Sequence, residues 1–128
     1  MVLILMVIME FLLIQIMTGV FMQLDQNLGS KYGWFGLHGC SKLENGLSVK
    51  TIGYPKDKTS YDQWNAHGII SRVNGNIMEY SSYTVGGNSG GPVLNNGCVY
   101  GIHSCSYYTN SGVRTCAGAT CMYDEYNI

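Results

Sequence analysis

The stretch Thr84-Val85-Gly86-Gly87-Asn88-Ser89-Gly90-Gly91-Pro92-Val93 places two glycine pairs around one serine and follows them with a proline. Glycine tolerates positive φ and lets a ligand approach the main chain closely. A serine held between such residues can present its hydroxyl outward, with neighbouring backbone N–H groups directed at one spot beside it. Those are the parts of an acyl-transfer site, a nucleophile and an oxyanion hole. The same composition also suits a plain turn between strands, because Gly, Asn and Ser collect in turns for local reasons. Gly87-x-Ser89-x-Gly91 further matches the G-x-S-x-G elbow of α/β-hydrolases, which needs a helix directly after the serine and an acid before the downstream histidine. Pro92 and Asn95-Asn96-Gly97 forbid that helix, and His103 precedes Asp124 and Glu125, so the elbow is set aside.

Composition narrows the frame. A chain of 128 residues is enough for one domain. A net charge of −1 with 12% charged residues gives no reason to expect a nucleic-acid partner. Seventeen glycines and ten tyrosines, with little sustained helical periodicity, point to an all-β domain rich in turns. Five cysteines hint at an oxidising compartment, and their odd number leaves at least one thiol outside any internal pairing. Cys105, Cys116, Cys121 and His103 have no standard zinc spacing, so neither metal nor cofactor is expected.

Residues 1–22 form an apolar run long enough to span a bilayer, broken chiefly by Glu10, Gln15, Thr18 and Gly19. Three readings stand side by side: a signal anchor in contact with a membrane, a secretory signal with a long apolar region, or the ragged start of a truncated or misread chain, foreign to the fold; the first two would make the protein secreted or membrane-associated. Against a clean signal peptide, no Lys or Arg precedes Lys31 and Glu10 lies mid-run. Residues 23–128 then read as the domain. Residues 32–37, 47–54, 63–73 and 77–83 are expected strands, with Asn74-Gly75 as a hairpin turn between the last two. After the serine loop, 92–94 and 99–103 flank Asn95-Asn96-Gly97 as another hairpin, and Gly112-Val113-Arg114-Thr115 reads as a last short strand. The stretch suffices for one six-stranded antiparallel β-barrel and not for two.

Gly33-Trp34-Phe35-Gly36-Leu37, Ile52-Gly53-Tyr54-Pro55-Lys56-Asp57-Lys58, Gly87-Asn88-Ser89-Gly90-Gly91-Pro92-Val93 and Gly101-Ile102-His103 occur in the order seen in the glutamyl endopeptidase branch of the trypsin-like serine proteases, which the chain resembles over most of residues 30–117. The resemblance implies the second barrel of a chymotrypsin-like fold. It implies Ser89 as nucleophile, with the N–H groups of Gly87 and Ser89 as oxyanion hole. Asn88 stands where trypsin carries an aspartate that pairs with the new N-terminus on activation, so that switch is not expected. Thr84 and His103 fall where the branch holds the substrate's acidic side chain, and a hydroxyl and a protonated imidazole both suit a carboxylate. Their plain alternatives are a β-branched strand end and a satisfied core histidine. The branch usually has an aromatic residue and two glycines after Gly-Ile-His. Here Ser104-Cys105-Ser106 follow, so side chains narrow the pocket, and Ser104 and Ser106 become candidate substrate contacts. Tyr83 and the 112–113 strand are expected nearby, with Cys105 bridging Cys116 or Cys121.

The general base and its aspartate precede the serine in this family. His38, His67 and His103 all fall in second-barrel segments, and Asp25 lies in no Asp-hydrophobic-Ala context. The chain is therefore expected to be the C-terminal half of a serine endopeptidase, inactive alone and exposing the apolar face that a first barrel would cover. The alternative is a non-catalytic, protease-like peptide-binding module or an inert gene fragment.

Overall fold

The computed structural model describes residues 3–7, 19–40, 43–59 and 62–122. Strands β1 (Leu3–Val7) and β2 (Gly19–Gln23) pair antiparallel in a sheet of their own, with Leu3 opposite Gln23. Residues 1–2 and 8–18, the rest of the apolar run, lie outside the described residues. No helix among the described residues is long and apolar enough to cross a membrane. The one-turn helix α1 (Leu28–Tyr32) starts at Asn27, whose side chain accepts from Ser30 N at 3.4 Å.

The barrel is built from six strands: β4 (Ser48–Gly53), β5 (Trp64–Asn74), β6 (Ile77–Tyr80), β7 (Pro92–Asn95), β8 (Cys98–Tyr108) and β9 (Arg114–Cys121). Between the N-terminal hairpin and the barrel, the two-residue strand β3 (Gly36–Leu37) pairs parallel with the start of β8. Strands β4, β5 and β6 form one antiparallel meander. The chain then crosses back to lay β7 beside β4, and β7, β8 and β9 meander until β9 closes against β6. The result is a closed six-stranded antiparallel barrel, as the turn signals led one to expect. Segment 81–91 is the connection between the two meanders, and it carries the serine.

Period-2 alternation decides which side chains fill the barrel. Val49 and Thr51 of β4, Met78 and Tyr80 of β6, and Ala117 and Ala119 of β9 are buried, joined by Ile70, Val93 and Cys121. A second cluster of Leu94, Val99, Ile102 and Met122, covered by Leu37 and Ile52, lies on the opposite face of the sheet. A register shift between Val93 and Leu94 skips Tyr100, so Val99 and Ile102 reach this face together although three residues apart. Trp34 and Phe35 remain 81% and 55% exposed, the largest apolar side chains left uncovered beside β3.

Three expectations need correction. Strand β6 ends at Tyr80 rather than running to Tyr83, because at the next pair the Ser81 hydroxyl, in place of its carbonyl, accepts from Ile69 N at 3.0 Å and breaks the ladder. The last strand is not the short 112–115 piece: Gly112 has φ 82 and lies in a turn closed by Thr109 N donating to Val113 O at 2.7 Å, and β9 runs on to Cys121. Cys105 bridges neither Cys116 nor Cys121. Cys121 is bonded to Cys40, 81 residues away, which ties the segment before β4 to the end of β9. Cys98, Cys105 and Cys116 are free thiols.

Candidate active site

Segment 81–91 is held at both ends and in the middle. Ser81 N donates to Ile69 O at 3.0 Å, and the Ser81 hydroxyl accepts from Ile69 N at 3.0 Å. Asn88, buried, accepts from Val85 N through Oδ1 at 3.1 Å, while its own N–H closes a turn onto Val85 O at 3.1 Å. Asn88 thus serves as a local clasp, the job its side chain does well in turns. Gly90 N donates to His103 O at 2.9 Å and His103 N to Gly91 O at 2.8 Å, which fastens the loop to β8. On the other side, Lys56 N donates to Gly86 O at 2.8 Å and Tyr54 N to Gly87 O at 3.3 Å.

Gly87 must be glycine. Its φ is 99°, and a Cβ there would stand 2.1 Å from Tyr54 O. The N–H groups of Asn88, Gly90 and Gly91 are spent inside the structure. Those of Gly87 and Ser89, on either side of Asn88, donate no hydrogen bond among the described residues, and the same is true of Gly86. Ser89 is exposed, and its hydroxyl has no partner among the described residues. Two free amides therefore flank a clasped one in the same loop as an open hydroxyl.

None of the three histidines contacts that hydroxyl. His38 stacks on Tyr100 with ring centroids 4.6 Å apart, and its Nδ1 lies 2.7 Å from Gly39 O. His67 sits exposed on β5 opposite Lys50. His103 is buried inside the barrel, with Nδ1 2.7 Å from the Tyr80 hydroxyl. Burial, and secondarily the nearby Arg114 charge, push the His103 imidazole down from 6.5 to about 4, so it is neutral at physiological pH. The charge assistance that a protonated His103 would lend a carboxylate is thus absent. Burial likewise raises the Tyr80 phenol, the Thr51 hydroxyl and Arg114 offsetting part of the effect. Tyr80 therefore stays protonated beside the ring. Thr51 Oγ1 is buried without a hydrogen bond of good geometry.

The structure does bring Thr84 and Ser106 together, with their hydroxyls 3.1 Å apart. Ser104 is turned elsewhere, donating to Gly118 O at 3.4 Å. At the meeting of Thr84 and Ser106 stands a residue that sequence reasoning passed over. Arg114 donates through Nη2 to Thr84 Oγ1 at 3.0 Å and to the Ser82 carbonyl, and through Nε to Ser106 Oγ at 3.5 Å. The Tyr83 ring, expected near the pocket, lies against its guanidinium at 5.7 Å. One signal was available: between Glu79 and Asp124, Arg114 is the only Asp, Glu, Lys or Arg in the chain.

No protein-family model matches the chain. Among solved structures it is similar to the scabies mite inactivated protease paralogue S-I1, with a TM-score of 0.55 and 12% identity, over 68% of this chain and 46% of that one. The match thus spans about half the length of that protein. At this identity the likeness establishes the fold alone, and the six-stranded barrel that carries Ser89 is a chymotrypsin-like barrel.

Proposed function

We propose that the 84–91 loop is the nucleophile-and-pocket half of a serine-type endopeptidase site, resembling the glutamyl endopeptidases in favouring an acidic side chain before the cut. The observation that carries the reading is the pair of unspent N–H groups, Gly87 and Ser89, beside an open Ser89 hydroxyl. In such a site Ser89 Oγ attacks the scissile carbonyl and the two amides take up the charge on its oxygen. The hydroxyl proton passes to a base and then to the leaving amine, and water later hydrolyses the acyl-enzyme. No such base lies among the described residues. Thr84, Ser106 and Arg114 supply hydroxyls and a cation suited to a carboxylate. His103 backs the pocket from the barrel interior.

A second reading has its own support. An exposed serine without a base binds peptide without turning it over, and the similar solved structure is itself that of an inactivated protease paralogue. The two readings share peptide binding at this loop. The test is a ¹⁵N NMR titration with an N-acetylated peptide ending in glutamate with a free α-carboxylate, the form of a cleavage product. The α-carboxylate is expected to move the Gly87 and Ser89 amide resonances. A titration that leaves both unmoved at millimolar peptide would overturn the assignment.

A further inference from the structure

Every charge that a protein holds away from bulk water needs a counter-charge or a full set of hydrogen bonds. Arg72, itself exposed, is ion-paired with Glu79. Arg114 has no such counter-charge among the described residues. It is half-buried at the start of β9, and no Asp or Glu forms an ion pair with it among the described residues. Asp57 is within 3.5 Å of the Tyr83 hydroxyl, at the far end of the ring that Arg114 stacks on, and makes no ion pair with the guanidinium.

The guanidinium presents five N–H donors in a fixed fork. Nε is directed at Ser106 and Nη2 at Thr84 and Ser82, which leaves the two hydrogens of Nη1 without a partner among the described residues. The hydroxyls of Thr84 and Ser106 are held by each other and by Arg114, so the fork is locked from one side. What stays open is one edge of a cation already oriented by its neighbours. Such an edge recognises a planar oxyanion, and a carboxylate fits its geometry.

We infer that Arg114, rather than His103, is the specificity-determining cation of this site: its free Nη1 edge binds the side-chain carboxylate of an acidic residue in a bound peptide, with Thr84 and Ser106 holding the guanidinium in place. The inference rests on the peptide-binding reading above and adds which residue carries the charge. His103, buried against Tyr80 and neutral, shapes the pocket without supplying charge. The acidic preference should therefore persist at neutral pH, where an imidazole of ordinary pKa would already have lost most of its proton.

The experiment compares two N-acetylated peptides that differ only at their last residue, glutamate or glutamine, each with a free α-carboxylate. Affinities are read from the Gly87 and Ser89 amide shifts at pH 7 for the full chain, Arg114→Met and Arg114→Lys. A hydrogen-bonded charge pair at a half-exposed site gives about a tenfold preference for glutamate over glutamine. That preference is expected to vanish in Arg114→Met, the glutamate peptide losing about tenfold more affinity than the glutamine peptide, and to fall partway in Arg114→Lys, which keeps the charge and loses the fork. A structural Arg114 would weaken both peptides equally. Should neither variant fold, the wild-type chain still decides: propionate, standing for the glutamate side chain, is expected to move the Arg114 Nε–H resonance. An unmoved resonance overturns the inference. Equal binding of both peptides by wild type, or glutamate preference intact in Arg114→Met, also overturns it and leaves the serine-loop reading standing. Loss of all Gly87 and Ser89 response to either peptide overturns both.

Discussion

The buried His103 makes the barrel sensitive to acid in a calculable way. Its pKa stands at about 4 in the fold against 6.5 for a free imidazole. Below pH 6.5 the unfolded chain takes up a proton that the folded chain refuses, so stability falls as pH drops. The loss runs from 6.5 down to about 4, and this group contributes no pH dependence outside that window. At about 1.36 kcal/mol per pH unit, the gap between 6.5 and about 4 amounts to about 3 kcal/mol in total. Roughly 2 kcal/mol of it is already gone at pH 5. The ring is only 3% exposed, so solvent screening takes little from these figures. The assay is urea denaturation at pH 7, 6 and 5 for wild type and His103→Gln. Every other side chain is common to both proteins and cancels in the difference. The variant is expected to be less stable at pH 7, through loss of the Tyr80 contact, and to close about 2 kcal/mol of that deficit by pH 5. A deficit that stays constant from pH 7 to pH 5 would refute the reasoning, since His103 would then titrate as a free imidazole.

Other consequences follow from particular contacts. Gly87→Ala should distort the loop at a cost of about 1–3 kcal/mol, because a side chain at φ 99° is strained and its Cβ would meet Tyr54 O. A thermal melt measures the cost, and loss of the Ser89 amide response to peptide reports the displaced amide. Breaking the Cys40–Cys121 bond frees a loop with 81 residues of sequence separation, for which the chain-entropy model gives about 4 kcal/mol. Denaturation of Cys40→Ala against wild type checks it, and a change below 1 kcal/mol would mean that the bond constrains little.

Much of the barrel was legible because its turns carry their own chemistry. Asn96 and Gly97 have φ of 45° and 74° and turn their hairpin as expected, whereas Asn74 ends β5 opposite Ile77 and the turn falls one residue later, at Gly75-Asn76, with Gly75 at φ 59°. The far end of β8 was not legible. Ser104, Cys105 and Ser106 are half-buried and lack an apolar alternation; Cys105 and Ser106 are strand because β9 pairs with them, and Ser104 is the residue that the register skips. Strand β9 hides for the converse reason. Gly118 has to be small, since Cys105 Sγ would lie 2.7 Å from a Cβ there. Such a strand reads as a small-residue loop until its partner is in place. The Cys40–Cys121 pairing joins positions far apart in sequence, and spacing cannot select it among five cysteines. In the candidate site, Ser89 was readable from the loop itself, and Gly87 came from resemblance. Thr84 and Ser106 came from resemblance and prove to share hydrogen bonds. Arg114 was missed because its role depends on the turn at 109–113, which swings the start of β9 over the loop.

The most direct measurement is the rate and position of phosphonylation by a fluorophosphonate probe, in which the serine oxygen displaces fluoride from phosphorus, read by mass spectrometry of the intact chain and its peptides. An oxyanion hole without a base retains only the residual acceleration of such sites, roughly a million-fold below a complete triad. The account predicts a slow adduct confined to Ser89 and absent in Ser89→Ala. Rapid stoichiometric labelling at Ser89 would contradict it by showing that a base reaches the hydroxyl, and slow labelling spread over several serines would contradict it by showing that the Gly87 and Ser89 amides form no hole.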